Sequence, residues 1–417
     1  MRALRALMTL GVTTVLLAAC SVESSTEPNA TAQARIEALQ VEGGCGGGFR
    51  KVNVNGFGNP DNLYAWSMEV FGEHLYVGTL NNVTGPEIWR YDGSDWEHVF
   101  TREIATGNTG FRTLKVLKGQ LYATTVNDSQ GAELWRSADG VNWESVVLGG
   151  FGNPDNSSFR GLVEFRRTLF MGVQNQSGPG GQLWRSFNGT RWWPVSRNGL
   201  GDPTNHSLHA FVVFGGMLYV GTANDQLTQV FRSSNGRDFE RVVGPGAAVP
   251  AGFGLIGTTN TVQLFPYGER LFVGTANNDY GFSLHVTTNG VDYLTLATEG
   301  AGNPDNNFSW RFASYDDYLW LGTGNFNPLK GEGGSVLRSR NGITNWETLV
   351  GDGGTYFDYG FNRPINWGIR TLAVYQNRLF IGTVQCWKAA CDPLTDGTEI
   401  WEWSGDPCSD EDAGTAP

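Results

Sequence analysis

The chain is short of charge and of several reactive side chains. Only 17% of its 417 residues are Asp, Glu, Lys or Arg, and it has 5 His, 5 Cys and 5 Met. Basic residues are the scarcer sign, 29 against 41 acidic, for a net charge of −12. Such a surface opposes broad contact with a phosphate backbone, which needs a basic stripe, so nucleic acid is excluded as a partner. The sequence has no G-x-S-x-G elbow, no P-loop and no dinucleotide fingerprint, which removes the common motif-borne chemistries. His206 and His209 are close, but His74, His98 and His285 fall on other parts of the repeat described below, so no three-histidine metal centre is expected. No helical hydrophobic period occurs, and the apolar run "LMTLGVTTVLL" is too short to cross a membrane as a helix.

Glycine and aromatics are plentiful instead: 58 Gly, 24 Phe, 15 Trp and 13 Tyr. That balance favours many short strands joined by tight turns. At the N-terminus, Arg2 and Arg5 precede the apolar run, which reads as a secretory signal over residues 1–19. Leu17-Ala18-Ala19-Cys20 resembles a bacterial lipobox, which implies that Cys20 becomes a lipidated first residue. Ser21 stands where an aspartate would signal inner-membrane retention, so an envelope with two membranes would carry the protein on the outer one. Residues 20–44 read as a flexible tether and 409–417 as a disordered acidic tail.

Between these ends the chain repeats. "GFGNPDN" stands at 56–62 and again at 150–156, with "GAGNPDN" at 300–306. Seven segments of the form Leu-aromatic-x-Gly-Thr or close to it begin at residues 75, 121, 169, 218, 271, 319 and 379. An apolar strand precedes each, and an Asn-rich loop and a third strand such as "EIWRY" or "QLWRS" follow. Asp-Gly or Asn-Gly turns then lead to a fourth strand, and these dipeptides are the strongest short hairpin signals. Seven repeats of four antiparallel strands predict an all-β fold, a seven-bladed β-propeller over residues 45–408. The seventh repeat stops after "EIWEW" (399–403), while "FRKV" (49–52) precedes the first connector. The N-terminal strand is therefore expected to complete the last blade, removing open sheet edges. The same register brings Cys45 toward Cys408, and Cys386 and Cys391 bracket a short loop, so two disulfides are expected outside the cytoplasm.

"SADGVNW" (137–143), "SSNGRDF" (233–239) and "SRNGITNW" (339–346) resemble degenerate Asp boxes of the BNR-type propellers, a group that includes sialidases and xyloglucanases. One residue between Asp and Gly is missing relative to that pattern. The resemblance implies the propeller fold and, because Asp boxes lie on the outer side, brings no active-site residue with it.

Constant positions serve the repeat, and positions that change between constant neighbours are site candidates. Thirteen residues before each anchor stands Asn62, Asn108, Asn156, Asn205, Thr258, Asn306 or Asn366, a structural turn position. A calcium ring through Asp61, Asp155, Asp202 and Asp305 is the alternative use of these turns, and no other cofactor is expected. Nine residues before each anchor stands Trp66, Arg112, Arg160, His209, Val262, Trp310 or Arg370. This position is expected near the mouth of the central channel, with the residue two further on sharing its face and packing inside. Arginine forks fit carboxylate or sulfate and tryptophan offers an apolar platform, which suits acidic or sulfated glycans. The long connector 351–366 adds Tyr356, Asp358, Tyr359 and Arg363, and the loop "CWKAAC" adds Trp387. Loops longer than their counterparts mark a working side. Weak candidates for chemistry are His209 with Arg160 and Tyr359, for β-elimination on a uronic acid, and Asp305 with Asp358, for glycoside hydrolysis. Three functions follow: a surface-anchored monomer that binds a glycan, a polysaccharide lyase or hydrolase at the same face, or an envelope-complex scaffold.

Overall fold

The computed structural model describes residues 48–325, 332–385 and 396–406. The lipidation candidate Cys20, the four other cysteines and Trp387 lie outside the described residues. Among the described residues no helix is long and apolar enough to cross a membrane.

The fold is all-β, with 28 strands among the described residues. Successive strands pair antiparallel in fours, as in Tyr64–Phe71, His74–Leu80, Glu87–Tyr91 and Trp96–Thr101. Seven strands lie innermost: Tyr64–Phe71, Gly110–Leu117, Ser158–Phe165, Ser207–Phe214, Thr258–Tyr267, Asn306–Tyr315 and Gly368–Tyr375. Each pairs with the strand after it, and that strand bridges to the next innermost one, through Leu80↔Gly110 and Ser158↔Val126 for example. The bridge Tyr64↔Val384 closes the circuit, giving a propeller-like ring of 14 strands. Outside the ring, Phe49–Lys51 pairs with Ile400–Trp403 in the register Phe49↔Trp403 and Lys51↔Trp401, as the sequence predicts.

The recurring connector has a physical cause. Gly56, Gly150 and Gly360 and the phenylalanines after them, Phe57, Phe151 and Phe361, all lie near φ +60°. A left-handed backbone costs a phenylalanine about 1 kcal/mol or more. Stacking offsets it: Phe57 lies on Trp89 at 5.0 Å, Phe151 on Trp184 at 3.8 Å and Phe361 on Trp401 at 4.3 Å. The turn asparagine then locks the loop. Asn62, Asn156, Asn205, Asn306 and Asn366 each donate from Nδ2 to the carbonyl of the glycine six residues earlier, at 2.7–3.1 Å. This is the structural use of "NPDN". Among the described residues no group of three or more His, Cys, Asp or Glu comes together to hold a metal ion. Asp202 accepts hydrogen bonds from Thr204 within the turn and from Gln229 Nε2, 27 residues further on.

His285 replaces the stacking tryptophan in one repeat, lying 4.0 Å from Phe253 and 1% exposed. Burial pushes its imidazole down to about 3. The unfolded chain takes up a proton near pH 6.5 that the folded one refuses, so this contribution is complete above pH 6.5 and lost as the pH falls. The expected loss is about 1.4 kcal/mol per pH unit below 6.5. Urea unfolding at pH 6.5 and pH 5 measures it, and His285→Gln should remove about 2 kcal/mol of the difference. An unchanged difference in that variant would assign the proton uptake to other groups.

Candidate functional site: a cationic central cavity

Every innermost strand carries a β-bulge near its beginning, and the extra residue is the variable one. The registers skip between Ala65 and Ser67, Phe111 and Thr113, Phe159 and Gly161, Leu208 and Ala210, Thr261 and Gln263, Ser309 and Arg311, and Ile369 and Thr371. The residues left unpaired are Trp66, Arg112, Arg160, His209, Val262, Trp310 and Arg370. A bulge frees a side chain from the alternation of the sheet and re-aims it. The apolar residue two further on borders the same cavity, as Leu114 does with Arg112 and Leu162 with Arg160, and packs inward. Leu114 packs in one cluster with Phe111, and Leu372 with Ile369, because the bulge puts residues three apart on one side.

The innermost strands enclose a cavity of about 590 Å³ whose wall includes Arg112, Arg160, His209, Val262, Trp310 and Arg370. Trp66 lies one layer behind, with Arg112 4.7 Å above its ring. Arg370 sits over Trp310 in the same way at 5.3 Å. Both indoles lie flat on the next strand, where a Cβ on Gly110 would strike Trp66 and one on Gly368 would strike Trp310. The tryptophans therefore lie beneath the neighbouring arginines, Trp310 being 6% exposed.

Arg311 and His206 also reach the cavity. Arg311 escapes a two-residue alternation from Trp310 because the bulge places both side chains on the channel side. Four guanidiniums thus face one volume. Arg160 donates to Gln174 Oε1 at 2.7 Å, a neutral partner. None of the four has a carboxylate within ion-pair distance among the described residues. Among the described residues the one carboxylate on the wall, Glu69, is held by Lys115 Nζ at 3.0 Å and also acts on the charge of Arg311.

The crowding shows in the proton affinities. Burial, then Arg311 and Arg160, pushes Arg370 down to about 9, and burial pushes Arg160 down to about 10. Arg112 is held well below its ordinary value by burial first and then by Arg160, Arg370 and Arg311. All remain cationic at neutral pH, since guanidinium gives up its proton so reluctantly. His209 is held well below 6.5 by burial and next by Arg160 and Arg112, so it is neutral at pH 7. The wall thus combines four guanidiniums with two imidazoles, His206 and His209, both pushed below their ordinary value by burial first.

The remaining candidates lie elsewhere. Tyr359, Asp305 and Asp358 do not border the cavity, so Tyr359 cannot complete a trio with His209 and Arg160 there. Tyr359 accepts a hydrogen bond from Asn303 Nδ2 at 3.0 Å, and the backbone N–H of Asp305 donates to Asn303 Oδ1. The backbone N–H of Asp358 donates to Asn362. The tyrosine whose charge environment includes the cavity arginines is Tyr64, which neighbours Arg370 and Arg112. Part of the long connector serves packing. Tyr356 and Phe357 pack on Phe49 of the closing strand, and Arg363 pairs with Glu399.

Fold and cavity together define a β-propeller built around a cationic channel. Solved propellers match it: the WD40 β-propeller domain of Doa1, with TM-score 0.53 and 8% identity over 86% of this chain and 98% of that one. The GH74 xyloglucanase from Xanthomonas campestris matches with TM-score 0.50 and 16% identity over 81% of this chain. The chain spans about half the length of that xyloglucanase, covering 52% of it. At these identities the likeness is one of fold. No family model and no curated protein matches the chain.

Proposed function

We propose that this chain is an exported, lipid-anchored propeller of seven four-stranded blades that binds an acidic glycan over its central cavity. In this reading Phe49–Lys51 is the fourth strand of the last blade. The single observation that carries the ligand class is the four guanidiniums facing one cavity without a carboxylate partner among the described residues. Holding desolvated cations together costs several kcal/mol per ion unless an anion enters. A uronate or sulfate ester supplies that anion, and Arg forks accept it bidentately. The glycan part of the reading is supported by the xyloglucanase among the structural neighbours, an enzyme named for a polysaccharide.

A second reading, a polysaccharide lyase at the same place, is favoured by one feature: a neutral His209 beside Arg160 and Arg112, able to take a proton next to a neutralised carboxylate. Titrating the full chain with oligogalacturonate, and with a neutral oligosaccharide of the same length, tests both. Binding of the acidic oligomer only is expected, raising stability by about 2.7 kcal/mol at a hundredfold excess over Kd. Equal response to the neutral oligomer would overturn the ligand class. Release of unsaturated uronate products would replace the binder by the lyase.

A further inference from the structure

On the outer half of the repeat, an arginine of the third strand faces a glutamate of the fourth. Arg90 faces Glu97, Arg136 faces Glu144, Arg232 faces Glu240 and Arg338 faces Glu347, all as ion pairs of 2.5–2.9 Å. At the closing strand the signs are exchanged, with Glu402 facing Arg50. Where Val286 faces Leu294 both charges are gone. At Arg185 the cation stays and its counter-charge does not, because Trp193 occupies the facing position. The Arg185 Nε is buried with no hydrogen-bond partner among the described residues, and its guanidinium lies 5.6 Å from the Phe187 ring.

The surroundings break the pattern too. Phe187 and Trp193 are 55% and 44% exposed, with ring centres 5.9 Å apart. Arg191 and Arg197 stand exposed at the ends of the strand that carries Trp193. Residues 156–200 hold six arginines and one glutamate, in a chain whose net charge is −12. An unpaired cation beside two open rings would cost stability at a surface with no purpose for it, since the neighbouring repeats show how readily a glutamate fits.

We propose that this outer face is a second binding site, for an acidic polysaccharide chain whose sugar faces lie on Trp193 and Phe187 and whose anionic groups pair with Arg185 and Arg191. Charge complementarity selects an acidic ligand, and exposed rings select one with flat C–H-rich faces. A protein strand added along the edge is a poorer occupant, because Pro194 removes a donor from the edge strand Trp193–Ser196. The inference does not depend on the cavity.

Native gel electrophoresis through polygalacturonate, with dextran as the neutral control, tests it in the full chain carrying Arg112→Gln and Arg370→Gln. Retardation by polygalacturonate and none by dextran is expected. Adding Arg185→Gln and Trp193→Ala should weaken it by about tenfold or more, whereas Trp193→Phe keeps a ring and should hold it within about threefold. A melting temperature no lower than that of the parent chain shows that the variants fold. Full retardation in the Arg185→Gln/Trp193→Ala variant overturns the site. So does equal retention by polyglutamate with the same dependence on Trp193, which would make it a site for acidic protein.

Discussion

Replacing Arg112 and Arg370 by glutamine is expected to weaken binding of acidic oligosaccharides at the central cavity sharply, while leaving the unliganded protein at least as heat-stable as before. Each guanidinium would make charge-assisted bonds to a ligand anion, worth about 1.5–3 kcal/mol apiece, so the double variant should bind about 10²–10⁴-fold more weakly. The stability half follows from the same geometry. Arg370 is 8% exposed, and neither arginine has an ion-pair partner among the described residues. Glutamine removes two desolvated like charges at the expense of two cation–π contacts, to Trp66 and Trp310. An arginine kept for the fold would behave in the opposite way, its loss lowering the melting temperature with little change in affinity. Calorimetric titration and thermal unfolding of the same samples separate the outcomes, and a destabilised variant with normal affinity would end the cavity reading.

The second large effect concerns the closing strand. Phe49→Ala should destabilise the protein by about 3–5 kcal/mol, the range for emptying a buried aromatic site. Phe49 is 2% exposed and fits between Trp403 at 4.6 Å, Phe361 at 5.3 Å and Tyr356 at 5.6 Å. These partners come from the far end of the chain and from the long connector, so the cavity left behind loosens the joint where both ends of the chain meet. Phe187→Ala, at an open position, should cost under about 0.5 kcal/mol. Urea unfolding of the two variants checks the contrast, and equal losses would show that the N-terminal strand adds little to the closed ring.

How much of this could be read beforehand differs between fold and site. The strand repeat, the turn asparagines and the pairing of 49–51 with 401–403 were legible because they are local patterns reiterated many times. The variable position nine residues before each anchor was legible for the same reason. The bulge left a signal that two-residue alternation passes over: apolar residues three apart, as in Phe111 and Leu114, Phe159 and Leu162, or Ile369 and Leu372. Read that way, Arg311 would have joined the cavity. The connector aromatics misled because their use depends on neighbours far along the chain. Tyr356 and Phe357 meet Phe49, more than three hundred residues away.

By itself, then, the sequence determined a repeating four-strand unit, the turns that join its copies and the strand that the last copy borrows. It also determined which side chains vary where the rest stay constant, since backbone propensity and hydrophobic spacing act over a few residues. Only the tertiary structure decided that the varying arginines converge with no carboxylate at ion-pair distance among the described residues, that the tryptophans lie beneath them, and that Tyr359, Asp305 and Asp358 stand apart. Convergence on one axis is a property of the closed ring: electrostatic repulsion and burial depend on distances between strands that the chain order does not encode.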